Sequence, residues 1–188
     1  MEITLRDLVT ALHGMGFGAL FMLAFSGAIA EMYRMAAPGA PEPGARSRRL
    51  LYVYLGVMVI LAWATVLSGT YIIYPWYRAV PPAGVTDITL YPKALLLSSP
   101  STAEWHNLGM EWKEHVGWIA PIAMTMVAYI FAKYGRLLAR ERQVRLAAFV
   151  FVVVAFVATA VAGAFGAFLN KYAPIRGGPT ITILQGEQ

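Results

Sequence analysis

The stretch LAAFVFVVVAFVATAVAGAFGAFL, residues 146–169, decides the fold of this chain because it contains no charged side chain. A bilayer core about 30 Å thick takes roughly 20 apolar residues of α-helix to cross. Lipid offers no partner for exposed backbone groups, so a run of this kind has to satisfy its backbone as a helix. The stretch therefore predicts a membrane-spanning helix.

Three further segments have the same apolar character. Hydrophobic residues make up 59% of the 188 residues and charged residues only 13%, which is the composition of a membrane protein. The segments run over Leu8–Ala30, Leu50–Tyr74, His115–Ala132 and Leu146–Leu169. We expect helices at about 8–33, 50–75, 102–136 and 145–170. Residues 1–188 are thus predicted to form one all-α integral membrane domain, an antiparallel four-helix transmembrane bundle.

The distribution of basic residues predicts the orientation of this bundle. Short loops rich in Lys and Arg stay on the cytoplasmic side of a membrane. Nine of the 15 basic residues flank the first and third connections: Arg34, Arg46, Arg48, Arg49, Lys133, Arg136, Arg140, Arg142 and Arg145. We therefore expect both termini outside a prokaryotic plasma membrane that the chain crosses several times. The net charge of +5 then reflects topology and not binding of nucleic acid.

Three terminal and connecting stretches carry local signals. Glu2, Arg6 and Asp7 stand where a cleavable signal peptide has a basic run, so the first segment is expected to stay as a helix. Ser101–Glu104 reads STAE and fits a capping box, which predicts that the third helix begins there. The tail GGPTITILQGEQ, residues 177–188, is too short to fold alone and is expected to pair with the surface of a partner.

The chemistry of the chain depends on three histidines, since it has no cysteine for thiolate metal sites or iron–sulfur clusters. His13 lies about five residues into the first segment, roughly 7 Å deep, and His115 begins the third segment at a comparable level. Two neutral imidazoles from different helices suit the iron of a b-type haem. His13 and His115 are the predicted metal ligands. His106, on the opposite side of the third helix, is the alternative ligand or a surface residue.

Small and acidic residues lie close to these histidines. Gly14, Gly16 and Gly117 are predicted to line the macrocycle, although glycines in membrane helices also permit close helix packing. Glu111, four residues before His115, is a candidate to orient its imidazole, the alternative being a solvated carboxylate. Thioether and imidazole ligands would also suit Cu(I), which leaves copper as a minor alternative.

With these residues the chain resembles the four-helix membrane cytochromes b, in which histidines of different helices hold haem inside an antiparallel bundle. The resemblance covers the four helices as architecture and depends on His13 and His115 for its chemistry. Members of that group often carry two haems on four histidines at both membrane faces. Because no histidine lies in the cytoplasmic half of this chain, the resemblance implies a single haem b near the outer face.

The resemblance implies a redox subunit that passes electrons between an outer-face protein, such as a c-type cytochrome, and quinol or a larger respiratory-type complex. Whether quinone binds the chain itself is open. No nucleophile and base pair, phosphate loop or paired carboxylates lie in the segments, which favours a subunit of a membrane oxidoreductase complex over a free-standing enzyme. The alternative is a cofactor-free structural or assembly subunit that packs against other membrane subunits. A small-molecule or ion carrier is disfavoured, because Glu31 is the only charge near the interior.

Overall fold

Four long helices dominate the computed structural model, which describes residues 2–37, 44–135, 137–138 and 140–182. They are α1 (Leu5–Ala36), α2 (Ala45–Tyr77), α4 (Pro100–Tyr134) and α5 (Arg142–Tyr172), and a short helix, α3 (Pro92–Leu97), precedes α4. Each long helix is long and apolar enough to cross a membrane, which confirms the four predicted spanning segments. Each begins a few residues earlier than predicted, because the polar residues that flank the apolar runs are helical too.

Each of α1 and α4 packs against both α2 and α5. On one side, the Phe25 ring of α1 lies 5.4 Å from the Phe156 ring of α5 in an edge-to-face arrangement. On another, the indole of Trp63 in α2 donates a hydrogen bond of 3.1 Å to the Thr125 hydroxyl of α4. The Tyr54 hydroxyl of α2 donates to the carbonyl of Ala24 in α1. These contacts surround a common interior.

That interior is apolar through most of its length. Its largest buried side chains include Phe21, Phe25, Met58, Met124 and Phe131. Among the residues that the structure describes, none of the buried side chains is polar or charged. Large apolar side chains also cover the outward faces of the four helices, for example Leu23, Ile60, Ile122 and Val150. Apolar side chains on both the inner and outer faces are typical of helices whose outer surface contacts lipid.

Two short strands close one end of the helices, which we call the strand end. The strand β1 (Glu2–Thr4) pairs antiparallel with β2 (Thr180–Thr182), with Ile3 opposite Ile181. The chain is therefore not entirely helical. The described part of the tail pairs with the N-terminal strand of its own chain, whereas we expected the tail to pair with the surface of a partner protein. Residues 183–188 of the tail lie outside the described residues, as do residues 38–43 of the first connection and Arg136.

A capping box is present at the strand end. It lies at the start of α1 and not at the predicted start of α4. The Thr4 hydroxyl accepts the backbone N–H of Asp7, and the Asp7 carboxylate accepts the backbone N–H of Thr4, both at 3.1 Å. The predicted box of Ser101 and Glu104 is wrong, since α4 begins at Pro100 after an N-cap residue, Ser99, whose side chain makes no capping bond. Proline fixes the first turn of α4 without a donor to satisfy.

A second apolar cluster lies at the strand end, above the main core. It comprises Tyr77, Leu96, Met110, Leu169, Ala173 and Ile175. Leu96 is its contribution from α3, so the loop between α2 and α4 folds back onto the ends of the long helices. This cluster covers the half of the interior that contains the histidines.

Candidate functional site

Three of the four long helices widen into π-helical turns on the side of the strand end. The wide turns span Leu12–Ala19 in α1, Gly69–Ile73 in α2 and Trp105–Met110 in α4. π-Helical turns inside α-helices are rare and frequently occur at functional sites. Here the first contains His13 and the third contains His106. The irregular backbone therefore coincides with the region that the histidines had indicated.

His13 is half-buried and is held by α2. Its Nδ1 lies 3.0 Å from the hydroxyl oxygen of Ser68, and that hydroxyl donates its own proton to the carbonyl of Ala64 at 2.6 Å. A Ser68 hydroxyl that donates to Ala64 can only accept from the imidazole, which favours the tautomer with its proton on Nδ1. The Nε2 atom carries the free lone pair. A fixed tautomer of this kind is typical of a histidine that binds a metal.

A glycine of α2 makes the space for this imidazole. A Cβ atom placed on Gly69 would lie 2.9 Å from Cε1 and 3.5 Å from Nε2 of His13. Carbon atoms of a packed interior are normally about 3.5–4.0 Å apart, so any side chain at position 69 would push the ring away from Ser68. Gly69 is therefore part of the site, whereas the sequence showed it only as one of several glycines.

Lys113 is a second polar group of the site, and the sequence had indicated it only as one of four cations at the outer rim that would suit haem propionates. It belongs to the stripe of α4 that continues through Gly117, Ala120, Met124 and Val127, all of which are buried. A Cβ atom placed on Gly166 of α5 would lie 3.0 Å from the Nζ atom of Lys113. The spacing of four and three residues was the available signal, since it places residue 113 on the inward face.

No hydrogen bond or ion pair of the Lys113 ammonium is present within residues 2–37, 44–135, 137–138 and 140–182. A charged side chain on the inward face of a membrane helix is costly and usually functional. Lys113 contacts Gly166 of α5 and His13 contacts Gly69 of α2, both in the half of the bundle near the strand end.

Two further polar atoms in this half have no partner among the described residues. They are the hydroxyl of Thr10, three residues before His13, and the indole nitrogen of Trp112, next to Lys113. Buried polar atoms in folded proteins nearly always find a hydrogen-bond partner, so each exception calls for an explanation. A polar ligand that the chain itself does not supply would account for both.

His115 lies on the other side of α4. Its side chain is 72% exposed, and its Nδ1 lies 2.9 Å from the carbonyl oxygen of Glu111, its own helix neighbour. The Glu111 carboxylate is farther from Nδ1, at 3.6 Å, so the backbone and not the side chain of Glu111 orients the ring. Since His115 is two residues from Lys113, about 200° around the helix, the structure does not bring it together with His13. Its role as a haem ligand stays a prediction.

His106 is half-buried below the apolar cluster of the strand end. Its Nδ1 lies 2.8 Å from the hydroxyl of Tyr77, a side chain that is only 2% exposed. The neighbouring Trp105 stacks on Phe168 of α5 with ring centres 4.5 Å apart. His106 therefore joins α2 to α4 through a largely buried hydrogen bond.

The three glycines predicted to line a macrocycle have other surroundings. Gly14 is exposed, and a Cβ atom there would meet nothing within 4 Å. At Gly16 it would meet only Leu12 of the same helix, and at Gly117 it would lie 2.6 Å from the carbonyl oxygen of Lys113. Gly117 is thus explained by the turn at residues 116–118 that interrupts α4.

Few ligands for metal ions other than haem iron lie together in the described residues. Over the described ranges, no three side chains of the types His, Asp and Glu converge in a way that would hold a metal ion. For the copper alternative, Met15 is 74% exposed and Met110 is buried in the apolar cluster of the strand end. A haem iron needs no more than two protein ligands, so this observation bears on metal-ion sites and not on haem.

No family model, curated protein or solved structure matches the chain.

Proposed function

We propose that the chain is a membrane redox subunit that binds one b-type haem in the half of the interior near the strand end, which His13 would hold through its Nε2 atom. When bound, a haem supplies one-electron transfer. The observation that carries the proposal is the orientation of His13. Its Nδ1 contacts Ser68, and in the tautomer that this contact favours the lone pair of Nε2 is available to iron.

The other polar groups of this half of the interior suit the propionates of a haem. The Lys113 ammonium suits a propionate, because a carboxylate would neutralise a cation that has no partner in the described chain. The unpaired atoms of Thr10 and Trp112 are donors that a propionate would also accept. His115 is exposed and bonded to its own helix, so the proposal depends on His13 alone.

The apolar core supports electron transfer over transport of ions or polar solutes. Below the polar groups of α1 and α4, the interior is filled by side chains such as Phe21, Met58 and Met124. None of the fully buried side chains in the described parts of the chain is polar, so the most deeply buried part of the interior offers no polar route to the opposite end. Electrons, unlike ions, do not require such a route.

The proposed orientation is an antiparallel bundle with both termini outside a prokaryotic plasma membrane. Contacts between α1 and α2 support opposite directions, since residue 13 contacts residue 68 and residue 24 contacts residue 54. Pairing of β1 with β2 brings the two ends of the chain together, and the basic residues favour a cytoplasmic position for the first and third connections. The haem would then exchange electrons with an outer redox protein and with quinol or a membrane complex.

Replacement of Lys113 with glutamine tests the proposal through the reduction potential. Reduction adds an electron to the haem, so a nearby cation raises the potential and its loss lowers it. We expect the midpoint potential of Lys113→Gln to fall by about 40 mV, which corresponds to an interaction of roughly 1 kcal/mol. Spectroelectrochemical titration measures this shift. The matched control is Lys171→Gln, since Lys171 is exposed and screening by salt should keep its effect below about 10 mV.

An equal shift in the two lysine variants would contradict the placement of Lys113 beside the haem. Absence of any titrating haem in the native protein would contradict the proposal itself. It would favour the alternative, a cofactor-free structural subunit. The close approach of Gly109 to Phe165, where a Cβ atom would lie 3.1 Å from the ring, favours that alternative because tight helix packing fills space that a macrocycle would need.

A further inference from the structure

A groove of about 450 Å³ lies at the end of the helices opposite the strand end. It runs between the last turns of α1 and the first turns of α5. Its walls are apolar and include Ile29 and Met32 of α1 and Phe149 of α5. A groove of this size falls in the range that holds small apolar ligands or part of a lipid chain. Its walls therefore suit an alkyl chain.

The mouth of the groove is strongly basic. Arg142, the first residue of α5, and Arg145, one turn later, both line it. Arg145 Nη1 donates a hydrogen bond of 2.7 Å to the carbonyl of Leu138, which restricts the position of its guanidinium. Two arginines beside an apolar groove are complementary to a ligand that carries an anion on an alkyl chain.

The backbone of α5 adds to this positive charge. The N-cap residue, Glu141, makes no capping bond with its side chain, so the first N–H groups of the helix are not satisfied by that side chain. The N-terminus of a long helix carries a partial positive charge that favours anions. The helix is 31 residues long, and its first turn coincides with the position of Arg142.

We infer that this groove binds an anionic phospholipid. The phosphate would lie between Arg142, Arg145 and the first N–H groups of α5, and an acyl chain would lie along Met32 and Phe149. A zwitterionic lipid fits less well because its head group carries a compensating cation, and a quinone or sterol lacks the anion. This inference is independent of the haem proposal, because the groove and His13 lie at opposite ends of α1.

Native mass spectrometry of protein released from nanodiscs tests this inference. The discs contain equal amounts of phosphatidylglycerol and phosphatidylcholine, and the lipids retained by each chain are counted. We expect the native protein to retain phosphatidylglycerol at least about fivefold over phosphatidylcholine, and Arg142→Gln to lower that ratio about fivefold. Arg49→Gln, which removes a charge near the start of α2 outside the groove, should leave the ratio within about twofold.

A second variant separates the groove from surface charge. Ala36 lines the groove and is exposed, so Ala36→Phe should fill the groove without unfolding the helix. We expect it to lose the retained phosphatidylglycerol although all its arginines remain. Equal retention of the two lipids by the native protein would overturn the inference. An equal loss in Arg49→Gln and Arg142→Gln, or full retention in Ala36→Phe, would also overturn it.

Discussion

His13→Ala is expected to lose the haem, with at least about tenfold less Soret absorbance per chain than the native protein. The physical reason is that His13 is half-buried and that its Nδ1 contact with Ser68 favours the tautomer whose Nε2 is available to iron. Removing even a group that orients a ligand typically costs 10–100-fold in affinity, and here the ligand itself is removed. The measurement is the visible spectrum of the purified variant, normalised to protein concentration.

His115→Ala is the informative comparison for this experiment. The sequence predicts that this substitution also abolishes the spectrum of a low-spin haem, because His115 is the second predicted ligand. The structure leads us to expect an almost unchanged spectrum, since the imidazole is exposed and bonded to its own helix. Haem loss in His115→Ala would mean that α4 turns inward when haem binds. Full haem retention in His13→Ala would contradict the proposed site.

The second large effect is expected for Gly69→Ala, a change of one methyl group. The new Cβ atom would lie 2.9 Å from Cε1 of His13, so the imidazole has to move and its bond to Ser68 lengthens or breaks. We expect the haem content to fall about tenfold, as for the loss of an orienting group around a metal. Helical content, measured by circular dichroism, should stay the same because alanine favours helix over glycine.

Gly163→Ala is the matched control for this substitution. Gly163 lies in α5 and is exposed, and a Cβ atom there would meet nothing within 4 Å. We expect no change in haem content and a stability effect within about 0.5 kcal/mol. If both alanine variants retained haem, contact between Gly69 and His13 would not matter for binding.

The spanning helices could be predicted because a bilayer imposes one strong requirement on the sequence. Long uncharged runs such as residues 146–169 have no alternative conformation in lipid, and all four appear as helices. The strand pair could not be predicted. Ile3 and Ile181 lie at opposite ends of the chain, and neither three-residue strand is recognisable without the other.

The candidate site in the structure contains His13 of the predicted pair but not His115, and the reason for the difference is rotation around α4. Depth along a helix follows from counting residues, which placed His13 and His115 at one level. The inward face follows from the spacing of buried residues, and that spacing selects Lys113 and Gly117 over His115. The wide turn at Trp105–Met110 and the turn at residues 116–118 further alter the rotation. Neither irregularity can be read from local sequence.

The most direct test of the proposed function is the visible spectrum of the native protein, purified gently from its own membrane and recorded before and after reduction by dithionite. We expect a Soret band that shifts on reduction, and a haem content near one b-type haem per chain after extraction. A protein that is pure, folded and free of absorbance in the Soret region would contradict the redox proposal and favour a structural subunit.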